Sequence, residues 1–122
     1  MSNKILDVLK VRHRQADNIM ELTKEMEKAI DTNDMEGLGG VLTMRQKAMD
    51  IIDGLNADIK KEMDSLPEKD KKRIKQLLEA DAEYAEFNNP FESQLYEANR
   101  ATLNLIQKVI SLDKEVSKKM RT

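Results

Sequence analysis

Apolar residues recur every three or four positions along the last third of the chain: Phe91, Leu95, Ala98, Leu105, Val109, Leu112 and Val116, with Thr102 the one polar member of the series. The same rhythm runs through Leu38, Leu42, Ala48, Ile52, Leu55, Ile59 and Met63. Spacing of this kind is the stripe of a helix that buries one side against other helices. An earlier segment, from about Asn3 to Ile30, carries a third stripe at Ile5, Val8, Leu9, Ala16, Ile19, Met20, Met26 and Ile30.

Turn and cap residues divide the pattern. Asp31-Thr32-Asn33-Asp34 predicts a turn, with Asp34 capping a second helix over about Met35 to Asp64. So short a turn predicts that the first two helices are antiparallel. Gly37, Gly39 and Gly40 soften the start of the second helix; close approach of another backbone is the sharper explanation for them. Ser65-Leu66-Pro67-Glu68 reads as a capping box that starts a third helix near Leu66. Asn89-Pro90-Phe91-Glu92 repeats that logic and predicts a fourth helix, from Pro90 to about Met120. The apolar phase nevertheless continues through Ile74, Leu77, Asp81, Tyr84, Asn88, Phe91 and Leu95, as a helix merely kinked at Pro90 would require. A break lets one chain close a bundle, whereas a continuous helix needs a partner to cover its overhang; the capping signal favours the break. The expected fold is all-α: an antiparallel bundle of long helices in a single domain over residues 1–122.

Composition supports this and narrows the function. Charged residues make up 36% of the 122, with only two prolines and four glycines, a profile of solvated helices. A net charge of −2 offers no global field for nucleic acid or an anionic membrane, and no apolar run is long enough to span a bilayer. Met1-Ser2-Asn3-Lys4-Ile5 has no apolar core of a signal peptide, and there is no cysteine, so the expected location is cytoplasmic.

Candidate chemistry is sparse, and no enzyme, cofactor or metal site is expected. His13 is the only histidine and sits between Arg12 and Arg14. A di-iron bundle needs a Glu-x-x-His on each of two helices, which one histidine cannot supply. Glu79, Glu83 and Glu86 would share a helix face, but surface helices are full of such spacing. The basic run Lys69 to Lys75 contains Asp70 and no aromatic, and reads as solvated charge pairs.

Binding is better supported. The four aromatics, Tyr84, Phe87, Phe91 and Tyr96, bracket Pro90, where they serve either as contact anchors or as core plugs at the bend. Eight methionines suit adaptable grooves as well as ordinary cores. Arg45 falls on an apolar stripe three residues after Leu42, where its charge must be paired or reach solvent; it reads as an interhelical pin to a carboxylate.

The segment Ile19 to Ile30, the Asp-Thr-Asn-Asp turn, and the stretch Leu38-Gly39-Gly40-Val41-Leu42-Thr43-Met44-Arg45-Gln46 leading to Ile52-Asp53 and Leu55 resemble the flagellar export chaperones of the FlgN type over roughly residues 15 to 65. The resemblance implies a cytosolic chaperone that binds an amphipathic helical segment of a hook-associated or filament protein before export. By analogy the client would dock on an exposed stripe of the later helices, at Leu95, Ala98, Thr102, Leu105, Val109 and Leu112, with Tyr84, Phe87, Phe91 and Tyr96 as anchors. The rival expectation is a homodimeric helical scaffold without a client. A chaperone leaves an apolar groove uncovered when alone; a scaffold buries it in its own dimer.

Overall fold

A computed structural model describes residues 3–79 and 86–121. These form an all-α bundle of helices α1 (Asn3–Asp31), α2 (Met35–Asp64), α3 (Glu68–Glu79) and α4 (Pro90–Arg121), with no strand among the described residues.

The first reversal is built from two residues. Asn33 adopts a left-handed φ of 55°. The backbone N–H groups of Asn33 and Asp34 then donate back to Ile30 O (3.1 Å) and Ala29 O (2.8 Å), which satisfies the last carbonyls of α1. Asp34 caps the next helix as expected, its carboxylate accepting from Gly37 N–H at 2.9 Å. The hairpin is antiparallel: Lys4 pairs with Glu62, Arg12 reaches Asn56, and Met26 packs with Leu38.

The glycines that follow meet no second backbone. A Cβ at Gly37 would collide with the capping carboxylate of Asp34, whereas Gly39 and Gly40 face open space. Gly39→Ala and Gly40→Ala should therefore each stabilise the protein by up to about 1 kcal/mol, read as a rise in urea midpoint. Gly37→Ala should instead lower the midpoint by displacing the cap.

Ser65 does not start α3. It keeps right-handed helical angles at the end of α2, and its hydroxyl donates back to Glu62 O at 2.7 Å. The same side chain can close one helix or open the next, and here it closes α2, so α3 begins at Glu68. The second break is real. Asn89 Oδ1 accepts from Glu92 N–H at 3.0 Å, and Glu92 accepts in return from Asn88 N–H at 2.9 Å. Ile74 and Leu77 share a core cluster with Leu95, which one continuous helix would hold about 30 Å apart at 1.5 Å per residue. Asp81 and Tyr84, which carried the unbroken phase, lie outside the described residues.

Helix α1 lies between α2 and α4, whose backbones do not approach one another. Contacts of Arg12 with Asn99, His13 with Thr102 and Asp31 with Lys119 show that α4 runs in the same direction as α1. Helix α3 runs against α2 and along α4, through Asp64–Lys71, Arg73–Glu92 and a hydrogen bond from Asn99 to Leu78 O. Three clusters form the core. Ile5, Leu6, Leu9, Ile59, Ile74, Leu77 and Leu95 join all four helices. Ile19, Ala48 and Val109 lie mid-bundle, and Met26, Ala29, Leu38 and Val116 lie near the first turn. Leu42, assigned to the inner stripe from its spacing, is 40% exposed, because α2 turns Leu38, Val41 and Ala48 toward the core instead.

Candidate functional site

A trough runs along one side of the bundle. Its floor is the α1 series Ile5, Leu9, Arg12, Ala16 and Ile19. One wall is the α2 series Met63, Ile59, Asn56, Ile52 and Met49, and the other is the α4 series Leu95, Asn99, Ile106 and Ile110. The α1 and α2 sets keep a three-or-four spacing and the α4 set steps by four, seven and four, so each is a single helix face.

Helix α3 fills only half of this trough. Ile74 and Leu77 sit in it, 0% and 3% exposed. Where α3 ends, a polar layer crosses the bundle: Arg12 donates to the side-chain oxygens of Asn56 and Asn99, and Asn99 Nδ2 donates to Leu78 O at 2.8 Å. These partners of Arg12 are neutral amides, and burial pushes the pKa of its guanidinium down.

Beyond that layer no described residue covers the trough. A cavity of about 270 Å3 is floored by Ala16 and Ile19 and walled by Met49, Ile52, Ile106 and Ile110. Met49 is 42% and Ile110 49% exposed. The far end is closed by Arg45, whose Nη2 meets Asp113 Oδ1 at 2.9 Å across the two walls, and the interhelical pin at Arg45 is this pair. The cavity lies below the about 300–1,000 Å3 of small-molecule sites, and its floor and walls are aliphatic, with Asp53, Arg45 and Asp113 at its ends. It suits a few apolar side chains.

Of the later-helix residues assigned to docking, Leu95 lines the half of the trough that α3 fills and Val109 lines the cavity, and the other described ones lie outside that lining. Leu95, Tyr96, Thr102 and Val109 are buried, and Phe91, Ala98, Leu105 and Leu112 are half-buried. Their stripe is not an exposed surface: it packs in the chain's own core, where Thr102 lies against His13 and Val109 against the Ile19–Ala48 cluster. Among the aromatic anchors, Phe87 is exposed and packs on Tyr96 with ring centroids 5.3 Å apart, Arg100 lies over the Tyr96 ring, and Tyr84 is outside the described residues. Among the exposed apolar residues of α4 are Leu103 and Ile110, with Ile106 half-exposed between them. Their own three-and-four spacing was the signal available in the sequence.

The remaining candidates resolve as structure. His13 is half-buried, its Nδ1 3.2 Å from Thr102 Oγ1. Glu79 ends the described α3 and Glu86 lies outside any helix, so these two do not share a helix face; Glu83 lies outside the described residues, among which no metal-binding cluster occurs. The basic run is used for anchoring: Lys71 pairs with Asp64, and Arg73 makes a forked bond to Glu92 and donates to Glu86 O.

Glu92 is 2% exposed, and its hydrogen bonds from Arg73 hold its carboxyl below the usual carboxylate range. A carboxylate with a depressed folded-state pKa contributes stability above its unfolded value, and that contribution is lost as pH falls through the folded value. The urea midpoint should thus drop below about pH 4.5. Glu92→Gln should be weaker at pH 7 and lose less on acidification; an unchanged pH profile in Glu92→Gln would show that this pair does not set the acid limit.

No family model matches the chain, and neither a curated protein nor a solved structure matches it. No described helix is long and apolar enough to cross a membrane.

Proposed function

We propose that the chain is a cytosolic secretion chaperone that holds an amphipathic helix of a partner protein in the open half of the trough. The observation that carries this reading is the cavity between Met49, Ile52, Ile106 and Ile110, left uncovered by the described helices. Its walls are spaced for a helix, since α3 occupies the same trough one step along. A helix laying an apolar face into such a groove is a common mode of peptide recognition. The resemblance of residues 15 to 65 to FlgN-type chaperones makes hook-associated and filament proteins the clients of choice.

Titration of synthetic C-terminal helical segments of those proteins tests the reading. Binding should perturb the resonances of Met49, Ile106 and Ile110 and leave the chain monomeric. A stable homodimer that buries Met49 and Ile110 in its own interface, with no peptide bound, would favour a structural scaffold and overturn the proposal.

A further inference from the structure

The polarity of the docked helix is written into the trough. Resting on the reading that the open half takes a helix, we infer that this helix runs parallel to α4 and end-on to α3, with its amino end beside Asp53 and its carboxyl end beside Arg45.

Continuity sets the axis. The faces that hold α3 through Ile59, Leu95 and Leu9 are the same faces that line the cavity one and two turns further on. A guest in that cavity lies on the line of α3, with the Arg12–Asn56–Asn99 layer between the two. The span from Asp53 to Arg45 is about 12 Å, room for two turns. The chain's own occupant shows what fits: α3 presents Ile74 and Leu77, three residues apart, to the floor. The guest is therefore an amphipathic helix with aliphatic residues at i and i+3 or i+4.

Charge sets the direction. The Asp53 carboxylate lines the α3 end of the cavity and is exposed, and Arg45 lines the other. A helix carries partial positive charge at its amino end and partial negative charge at its carboxyl end. The amino end belongs beside Asp53, and a guest with an acidic first turn facing Asp53 is disfavoured. At the far end Asp113 takes one guanidinium nitrogen of Arg45, while Arg45 Nε is buried with no acceptor among the described residues.

The test uses a peptide of about nine residues held helical by a side-chain crosslink, because so short a helix is marginal by itself, with leucines at i, i+3, i+4 and i+7 and a nitroxide at its amino end. Its binding to the isotope-labelled chain is followed by NMR. The expected result is perturbation of Met49 and Ile110, with amide broadening at Gly54, Asn56 and Leu103, and little at Leu42, Gln46 and Ser117. Asp53→Asn should weaken binding about two- to fivefold, the size of a helix-end charge effect. Broadening concentrated at Gln46 and Ser117, or equal at both ends, overturns the inferred polarity while the docking reading stands. No perturbation at Met49 and Ile110 overturns both.

Discussion

Leu95→Ala is expected to remove about 2–5 kcal/mol of stability, a large share of the roughly 5–15 kcal/mol that holds a domain together. Leu95 is fully buried in the cluster where all four helices meet, among Ile5, Leu9, Ile59, Ile74 and Leu77. The walls of the resulting cavity belong to four separate helices. One of them, α4, is tied a turn away by Asn99 to Arg12 and Leu78, so the site cannot collapse to fill the space. Leu103→Ala, at a position 38% exposed on the same helix, should cost within about 0.5 kcal/mol. Urea unfolding of the two variants decides: equal losses would mean that Leu95 does not sit at the junction. A smaller denaturant slope in Leu95→Ala would report that α3 had already come away in the native state.

Ile110→Asp should keep the fold and lose the ligand. Ile110 projects at the lip of the cavity, 49% exposed, and a carboxylate there meets Asp113 three residues on. Like charges at that spacing cost only about 0.2–0.5 kcal/mol. For a docked helix the change replaces an apolar wall by an unpaired charge, and loss of a central contact is worth about 2 kcal/mol or more, roughly thirtyfold in affinity. Leu105→Asp is the contrasting variant: Leu105 is half-buried on the face that packs in the core, so it should lower thermal stability directly. Circular dichroism and peptide titration on one sample separate the two. An Ile110→Asp protein that is folded and still binds would remove the cavity from the mechanism.

The hairpin and the Pro90 break were legible because their causes are local. Asp34 reaches Gly37, and Asn89 reaches Glu92, each within one turn. Ser65 was misread because a serine between two helices serves either end equally well by spacing. The width of the α1 stripe was also underestimated: Leu6, Leu22, Thr23 and Ala29 are buried besides the expected positions. Helix α1 is covered on two sides, so its apolar arc is broader than that of a helix with one partner. The exposure of the Leu95 to Leu112 stripe was misjudged for a related reason. A stripe such as Leu95 to Leu112 states that a helix will be covered, and not by whom; α1 of the same chain covers it. The described part of α3 covers one half of the trough, and the walls of the other half, Met49 and Ile52 on one side and Ile106 and Ile110 on the other, come from two helices far apart in sequence. No single-helix periodicity encodes a gap between helices.

The parallel course of α1 and α4 governs the order in which the chain can fold. The α1–α2 contacts close through the short turn at Asn33, whereas the Lys119–Asp31 contact joins residues 88 apart in sequence. Loop closure costs more as the loop lengthens, and distant contacts slow folding. The hairpin can therefore zip first, and α4 docks last as a long-range step onto the second face of α1. Pulse-labelling hydrogen exchange should protect amides of α1 and α2 before those of α4. Until that step the α1 side chains that pack on α4, Ile5, Leu9, Ile19 and Met26 with Arg12 and His13 among them, lack their cover, so this chain is itself most prone to wrong association during its own synthesis.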